Sequence, residues 1–103
     1  MSVLLEFAMF PMDKGESVKE DVAQIIKMID ESGVSYKLTA MGTIIETETM
    51  DEALDIVRKA YAVLEKNCDR VYSSLKFDIR KGKSNRLKTK IESVQELIGK
   101  VNT

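Results

Sequence analysis

Histidine and tryptophan are absent from this 103-residue sequence, and cysteine and proline occur once each. Without imidazole there is no His-ligated zinc site, no His-based catalytic triad and no side chain that ordinarily titrates near neutrality. A lone Cys68 excludes an internal disulfide and paired thiolates for a metal carrier. With no base beside it, Cys68 reads as a small apolar residue at a helix end. No segment reaches the ~20 apolar residues of a membrane span. The first ten residues run into an acidic stretch with neither the basic start nor the cleavage site of a signal peptide, so a cytoplasmic protein is expected. Five Gly and no low-complexity run exclude a disordered or fibrous chain. What remains is 44% hydrophobic and 32% charged residues, the composition and length of a single domain over 1–103 with a core of its own.

Charge is unevenly placed. Residues 1–79 carry 9 Lys/Arg against 15 Asp/Glu, whereas residues 80–103 carry 7 against 2. Such a basic end serves nucleic acid or an acidic surface in some proteins, but on a helix it more often forms a solvated face or pairs with the acidic body of a neighbouring subunit.

Hydrophobic periodicity divides the chain. Residues 2–10 alternate, with Val3, Leu5, Phe7 and Met9 on one face, and Pro11 ends the strand. Ser17 and Glu20 form a capping box ahead of a helix whose Val18, Val22, Ile25, Ile26 and Ile29 make one apolar stripe, closed by Gly33. A hairpin follows, 34–41 and 44–47, turning at Gly42. Thr49 and Glu52 repeat the capping box before a second helix with Ala53, Leu54, Val57, Ala60, Tyr61 and Leu64 inward. Residues 70–80 alternate most clearly, with Val71, Ser73, Leu75, Phe77 and Ile79 against Tyr72, Ser74, Lys76, Asp78 and Arg80. A last helix over 85–101 carries Leu87, Ile91, Val94, Ile98 and Val101 at alternating steps of four and three. That is a narrow seam, which either packs on its own domain or meets another subunit.

The order β-α-β-β-α-β then α predicts an α+β, ferredoxin-like sandwich over 1–80, with both helices on one sheet face, and an additional C-terminal helix over 84–103. The other face presents Glu6, Ala8, Phe10, Lys76, Asp78 and Arg80, a mixed surface that a subunit, a helix or a ligand usually covers. RNA binding through this topology needs aromatics on the central strands, and 43–47 has none, so no nucleic-acid partner is expected. The fold alone does not decide function.

One constellation bears on a ligand. Gly42, Thr43 and Glu46 join a permissive glycine, a hydroxyl and a carboxylate, bracketed by Ile44 and Ile45. Read by itself, the run is either an ordinary hairpin turn or a slot for a flat heterocycle. In a regular strand, Thr43 and Glu46 point to opposite faces, so convergence requires a bulge or a neighbouring subunit.

The runs Met41-Gly42-Thr43-Ile44-Ile45-Glu46 and Lys76-Phe77-Asp78-Ile79-Arg80, with Pro11 after the first strand, resemble the small thiamine-binding-protein family of ferredoxin-like proteins over nearly the whole chain. The resemblance implies a homo-oligomer, commonly a tetramer made of two dimers, that binds thiamine or its hydroxymethylpyrimidine part without catalysis, metal or cofactor. Carried onto matching positions, it implies Thr43 and Glu46 as ligand contacts, Met41 and Pro11 as pocket walls, and Lys76 and Asp78 as polar contributors. A cationic thiazolium seeks a carboxylate and an aminopyrimidine seeks fixed hydrogen-bond partners in an apolar slot. Two readings of other classes stand beside it: an oligomeric structural or regulatory module joined through Leu87, Ile91, Val94 and Ile98, and an enzyme using Lys76, Asp78 or Glu46 as acid or base.

Overall fold

The computed structural model describes residues 1–15 and 18–103. Its elements are β1 (Ser2–Pro11), α1 (Lys19–Glu31), β2 (Ser35–Thr39), β3 (Gly42–Thr47), α2 (Met50–Glu65), β4 (Val71–Arg80) and α3 (Arg86–Ile98). The strands make one antiparallel sheet in the order β2-β3-β1-β4, the ferredoxin-like arrangement expected from the element order.

Alternation along β1 explains the core. Val3, Leu5, Phe7 and Met9 turn to one face and are buried there with Ile45 of β3. Onto that face α1 lays Ile25 and Ile29, and α2 lays Ala53, Ile56, Ala60 and Leu64. The two alanines, fully buried, let α2 approach the sheet closely. Cys68, just past α2, is half-buried against this cluster, as its apolar reading requires, and burial pushes its thiol pKa up.

Local chemistry sets the boundaries. Thr49 caps α2 by accepting from the Glu52 amide at 3.1 Å, and the same hydroxyl donates to the Glu52 carboxylate at 3.0 Å, so the expected capping pair forms, with Glu52 reaching back to the Thr49 hydroxyl rather than to its amide. The corresponding box on α1 depends on Ser17, which lies outside the described residues. At the β2–β3 turn, Thr39 donates its hydroxyl to the Gly42 carbonyl at 2.7 Å. Gly42 has φ 157, and a Cβ there would lie 3.0 Å from the Phe7 carbonyl oxygen, so only glycine fits where β3 enters against β1. Pro11 closes β1 opposite Val71, beyond the last β1–β3 pair, Phe7 with Thr43, so its missing N–H costs the ladder nothing.

The last helix departs from the expected seam. α3 lies across the sheet face opposite α1 and α2, resting on β3 and β1 with Leu87 and Ile91 half-buried, and an open groove lies between it and Ser35, Tyr36 and Lys37 of β2. Val94 and Ile98 do not continue that contact: Ile98 is 71% exposed and its neighbour Leu97 85%. Only the first two turns of α3 are therefore docked, because the polar contacts that hold it are all at its start. The radius of gyration, 15.0 Å, exceeds the ~13 Å of a compact chain this long, in keeping with a helix that runs off its support.

Candidate functional site

β3 pairs with β1 one residue for one from Thr43 to Thr47, without a bulge. Thr43 and Ile45 therefore face the helices, and Ile44 and Glu46 face α3. The two residues expected to meet a ligand together lie on opposite sides of the sheet, and within one chain they do not converge.

On the helix side there is a cavity of about 330 Å³ under the β2–β3 turn. Phe7, Met9, Ile26, Leu38, Met41 and Thr43 contribute to its wall, and among the described residues no charged side chain lines it. Two hydroxyls reach it. That of Thr39 is engaged with the Gly42 carbonyl and accepts from the Met41 amide at 3.3 Å. Thr43, buried as a residue, lines the cavity, and its hydroxyl is placed to bond a guest there. Met41 stands at the rim, 88% exposed, as a flexible apolar flap. Pro11, the other proposed wall, follows Phe10 at the same end of β1 but is fully buried and is not among the residues that line the cavity.

On the opposite side Glu46 has a different task. Its carboxylate accepts from the Ser2 hydroxyl at 2.5 Å and from the backbone amides of Arg86 and Leu87 at 2.8 and 3.1 Å. These are the free amides of the first turn of α3, whose own preceding residue, Asn85, provides no side-chain cap. Glu46 is thus the N-terminal cap of α3, supplied from 40 residues away in sequence. Burial alone raises its pKa, but the Ser2 hydroxyl, the two amides and the Arg86 charge outweigh that and hold it below its ordinary value of 4.5.

Arg86 completes the arrangement and was not singled out by the sequence reading. Only 5% exposed, it donates to the Ser2 hydroxyl at 2.9 Å, to the Ser2 carbonyl at 3.0 Å and to the Asp78 carbonyl at 2.6 Å, and pairs with the Asp78 carboxylate at 3.2 Å. Asp78 also meets Lys90 at 3.3 Å, and its hydrogen bonds to Arg86 and Lys90 lower its pKa. Lys76 sits on the same face, exposed, paired in register with Glu6. The six proposed ligand residues are therefore spread over a cavity (Thr43, Met41), a clamp (Glu46, Asp78), an exposed strand position (Lys76) and a buried strand end (Pro11). A buried arginine leaves no spacing signature. Nor did the helix start betray it, since Asn85 is a favoured N-cap residue and only its left-handed backbone, φ 53, shows that it does not cap.

The profile of the thiamine-binding protein family matches residues 5–95. A UPF0045 protein of Methanocaldococcus jannaschii is 35% identical over 95 residues, covering 92% of this chain and 94% of its own. A UPF0045 protein of Methanothermobacter thermautotrophicus is 39% identical over 83 residues, 80% of this chain and 84% of its own. Among solved structures, a Methanocaldococcus jannaschii protein superposes with a TM-score of 0.81 at 34% identity over 92% of this chain and 97% of that one. A Thermotoga maritima protein provisionally assigned to thiamine biosynthesis or salvage shares the fold, with a TM-score of 0.78 at 21% identity over 91% of this chain and 99% of that one. With the profile covering most of the chain and relatives above 30% identity along nearly its full length, the chain belongs to the thiamine-binding protein family.

Proposed function

We propose that this is a non-enzymatic, cytoplasmic binding protein for thiamine or its hydroxymethylpyrimidine moiety, serving storage, delivery or sensing, and that it works as a homo-oligomer, a tetramer of two dimers. Family membership supports the ligand class. The observation that carries the site is the cavity that, among the described residues, is lined without a charged side chain and holds Thr43 in its wall. A flat, neutral aminopyrimidine fits such a slot: aliphatic and aromatic side chains cover its faces and Thr43 bonds one edge. The thiazolium of thiamine then projects past Met41 toward water, where its charge needs no buried partner. Glu46 and Asp78 are engaged in holding α3, which argues against their use as acid or base. They enter a ligand site only where a second subunit completes one. Calorimetric titration of the full chain with thiamine, hydroxymethylpyrimidine and their phosphates tests the proposal: heat with the pyrimidine and with thiamine is expected, and none with either at millimolar ligand refutes it.

A second reading, an assembly module without a ligand, is favoured by the uncovered Val94, Leu97 and Ile98 of α3. It predicts no heat with any of these compounds and a lower assembled mass when α3 is removed after Gly82.

A further inference from the structure

The cavity under the β2–β3 turn adjoins a second hollow. Val22, Ile26 and Leu38 line it, and the same three residues line a more open groove of about 610 Å³ between α1 and β2. One stripe of α1 forms a side of this groove. Lys19, Val22, Ala23, Ile26, Lys27 and Asp30 follow at steps of three, one, three, one and three, which keeps them on one helix face. β2 contributes Tyr36 and Leu38, two residues apart and so on the same face of the sheet.

The two hollows differ in charge. Among the described residues no charged side chain lines the cavity, whereas the groove carries Lys19, Lys27 and Asp30. Asp30 is engaged, since its Oδ1 accepts from the Tyr36 hydroxyl at 2.7 Å. The two lysines are exposed, and among the described residues neither enters an ion pair. Helical side chains lean toward the N-terminus of their helix, so Lys27 leans over Ala23, whose methyl leaves the groove open, toward the part of α1 that borders the cavity. Lys19 stands ~12 Å further along the axis, at the other end of the stripe.

We propose that the site selects phosphate esters of thiamine over thiamine itself, with the pyrimidine in the cavity and the phosphate in the α1 groove against Lys27, Lys19 serving as a second cation. The inference rests on the ligand reading above and adds to it the chemistry of the ligand's tail. With the pyrimidine in the cavity, the thiazolium lies outside it, and its hydroxyethyl tail has the apolar wall of Ile26 and Leu38 to run along. Unesterified thiamine brings a cation toward two ammonium groups, a like-charge approach that weakens binding. A phosphate monoester adds about −1.5 to −2 charge at pH 7, with three acceptor oxygens, and so reverses the sign of that interaction. The cavity wall offers no charge to respond to this change, so the discrimination comes from the groove.

Calorimetry of the full chain with hydroxymethylpyrimidine, thiamine and thiamine monophosphate tests this separately from the reading beneath it. Thiamine monophosphate is expected to bind about three- to ten-fold tighter than thiamine at low ionic strength, an advantage that shrinks in ~0.5 M salt as exposed charges are screened. Lys27→Gln is expected to remove most of that advantage and Lys19→Gln a smaller part, both leaving the affinity for hydroxymethylpyrimidine unchanged. Lys88→Gln, on α3 across the sheet, is expected to leave all three affinities unchanged. If the pyrimidine and thiamine bind and the phosphate ester binds no tighter than thiamine, the proposal fails while the ligand reading stands. An advantage that survives in the Lys19→Gln, Lys27→Gln double variant, or that falls as far in Lys88→Gln as in Lys27→Gln, places the phosphate elsewhere and overturns the proposal. If none of the three compounds binds, the ligand reading itself is refuted, and the proposal with it.

Discussion

The two faces of the sheet are closed by opposite chemistry. One is covered by α1 and α2 through a continuous apolar layer, Leu5, Ile25, Ile29, Ile45 and Leu64 among its most buried members. The other is closed by α3 through four polar residues, Ser2, Glu46, Asp78 and Arg86, whose bonds are short and directional. Apolar burial is additive and tolerant of small shifts, whereas the clamp depends on each member finding its partner. The difference teaches that α3 is a separately held part: it can loosen while the layer beneath it stays packed.

Three substitutions test that contrast. Leu5→Ala, at a position with no exposure, is expected to cost about 3 to 5 kcal/mol of global stability in denaturant unfolding, and a loss below ~1 kcal/mol contradicts the packed layer. Arg86→Ala removes the donors to Ser2 and Asp78 and is expected to cost about 2 to 4 kcal/mol, read as faster amide exchange throughout α3 with α1 and α2 still protected. Uniform loss of protection in all three helices would show that α3 is no separate part.

Glu46→Gln comes next, at about 1 to 2 kcal/mol, since shape is kept while the charge facing the helix start is lost. Its effect depends on pH in a defined sense. The folded pKa of Glu46 lies below its ordinary 4.5, so its contribution is complete above that value and is lost as pH falls through the folded pKa. Asp78 shifts in the same direction through its bonds to Arg86 and Lys90. The parent should therefore release α3 on acidification from about pH 4.5 downward, and Glu46→Gln should show a shallower acid dependence with the same plateau slope near neutrality. An identical acid profile in the two proteins removes Glu46 from the clamp.

How much of this was legible in sequence follows from the same contrast. The layer of Val3, Leu5, Ile25, Ile29 and Leu64 writes itself as periods of two and 3.6, so strands, helices and their order could be read directly. The site was half legible. Thr43 and Met41 lie together because they flank one turn, and the alternation rule already placed Glu46 on the opposite face. What Glu46 does there was not readable, since its partners are Ser2, 44 residues before it, and the amides of residues 86 and 87, and no local spacing encodes a contact at that range. The seam on α3 misled for a related reason: steps of four and three mark an apolar side but not how far the supporting sheet extends, and past Ile91 the apolar residues Val94 and Ile98 are exposed.

The smallest expected effect separates ligand chemistry from fold. Thr43→Val exchanges a hydroxyl for a methyl of nearly the same size in the wall of the cavity, on the apolar face and away from the clamp. Because the exchange keeps shape at a cavity wall, stability should change by less than ~0.5 kcal/mol. Binding of hydroxymethylpyrimidine and of thiamine should each weaken by about 0.5 to 1.5 kcal/mol, the worth of one neutral hydrogen bond, since both present the same pyrimidine to it. Glu46→Gln, acting on the other face, should leave both affinities unchanged at neutral pH. The pair thus forms a crossed experiment, each variant moving one readout and sparing the other. If Glu46→Gln instead weakens thiamine more than the neutral pyrimidine, the carboxylate does balance the thiazolium, and the ligand lies on the α3 side of the sheet rather than in the cavity.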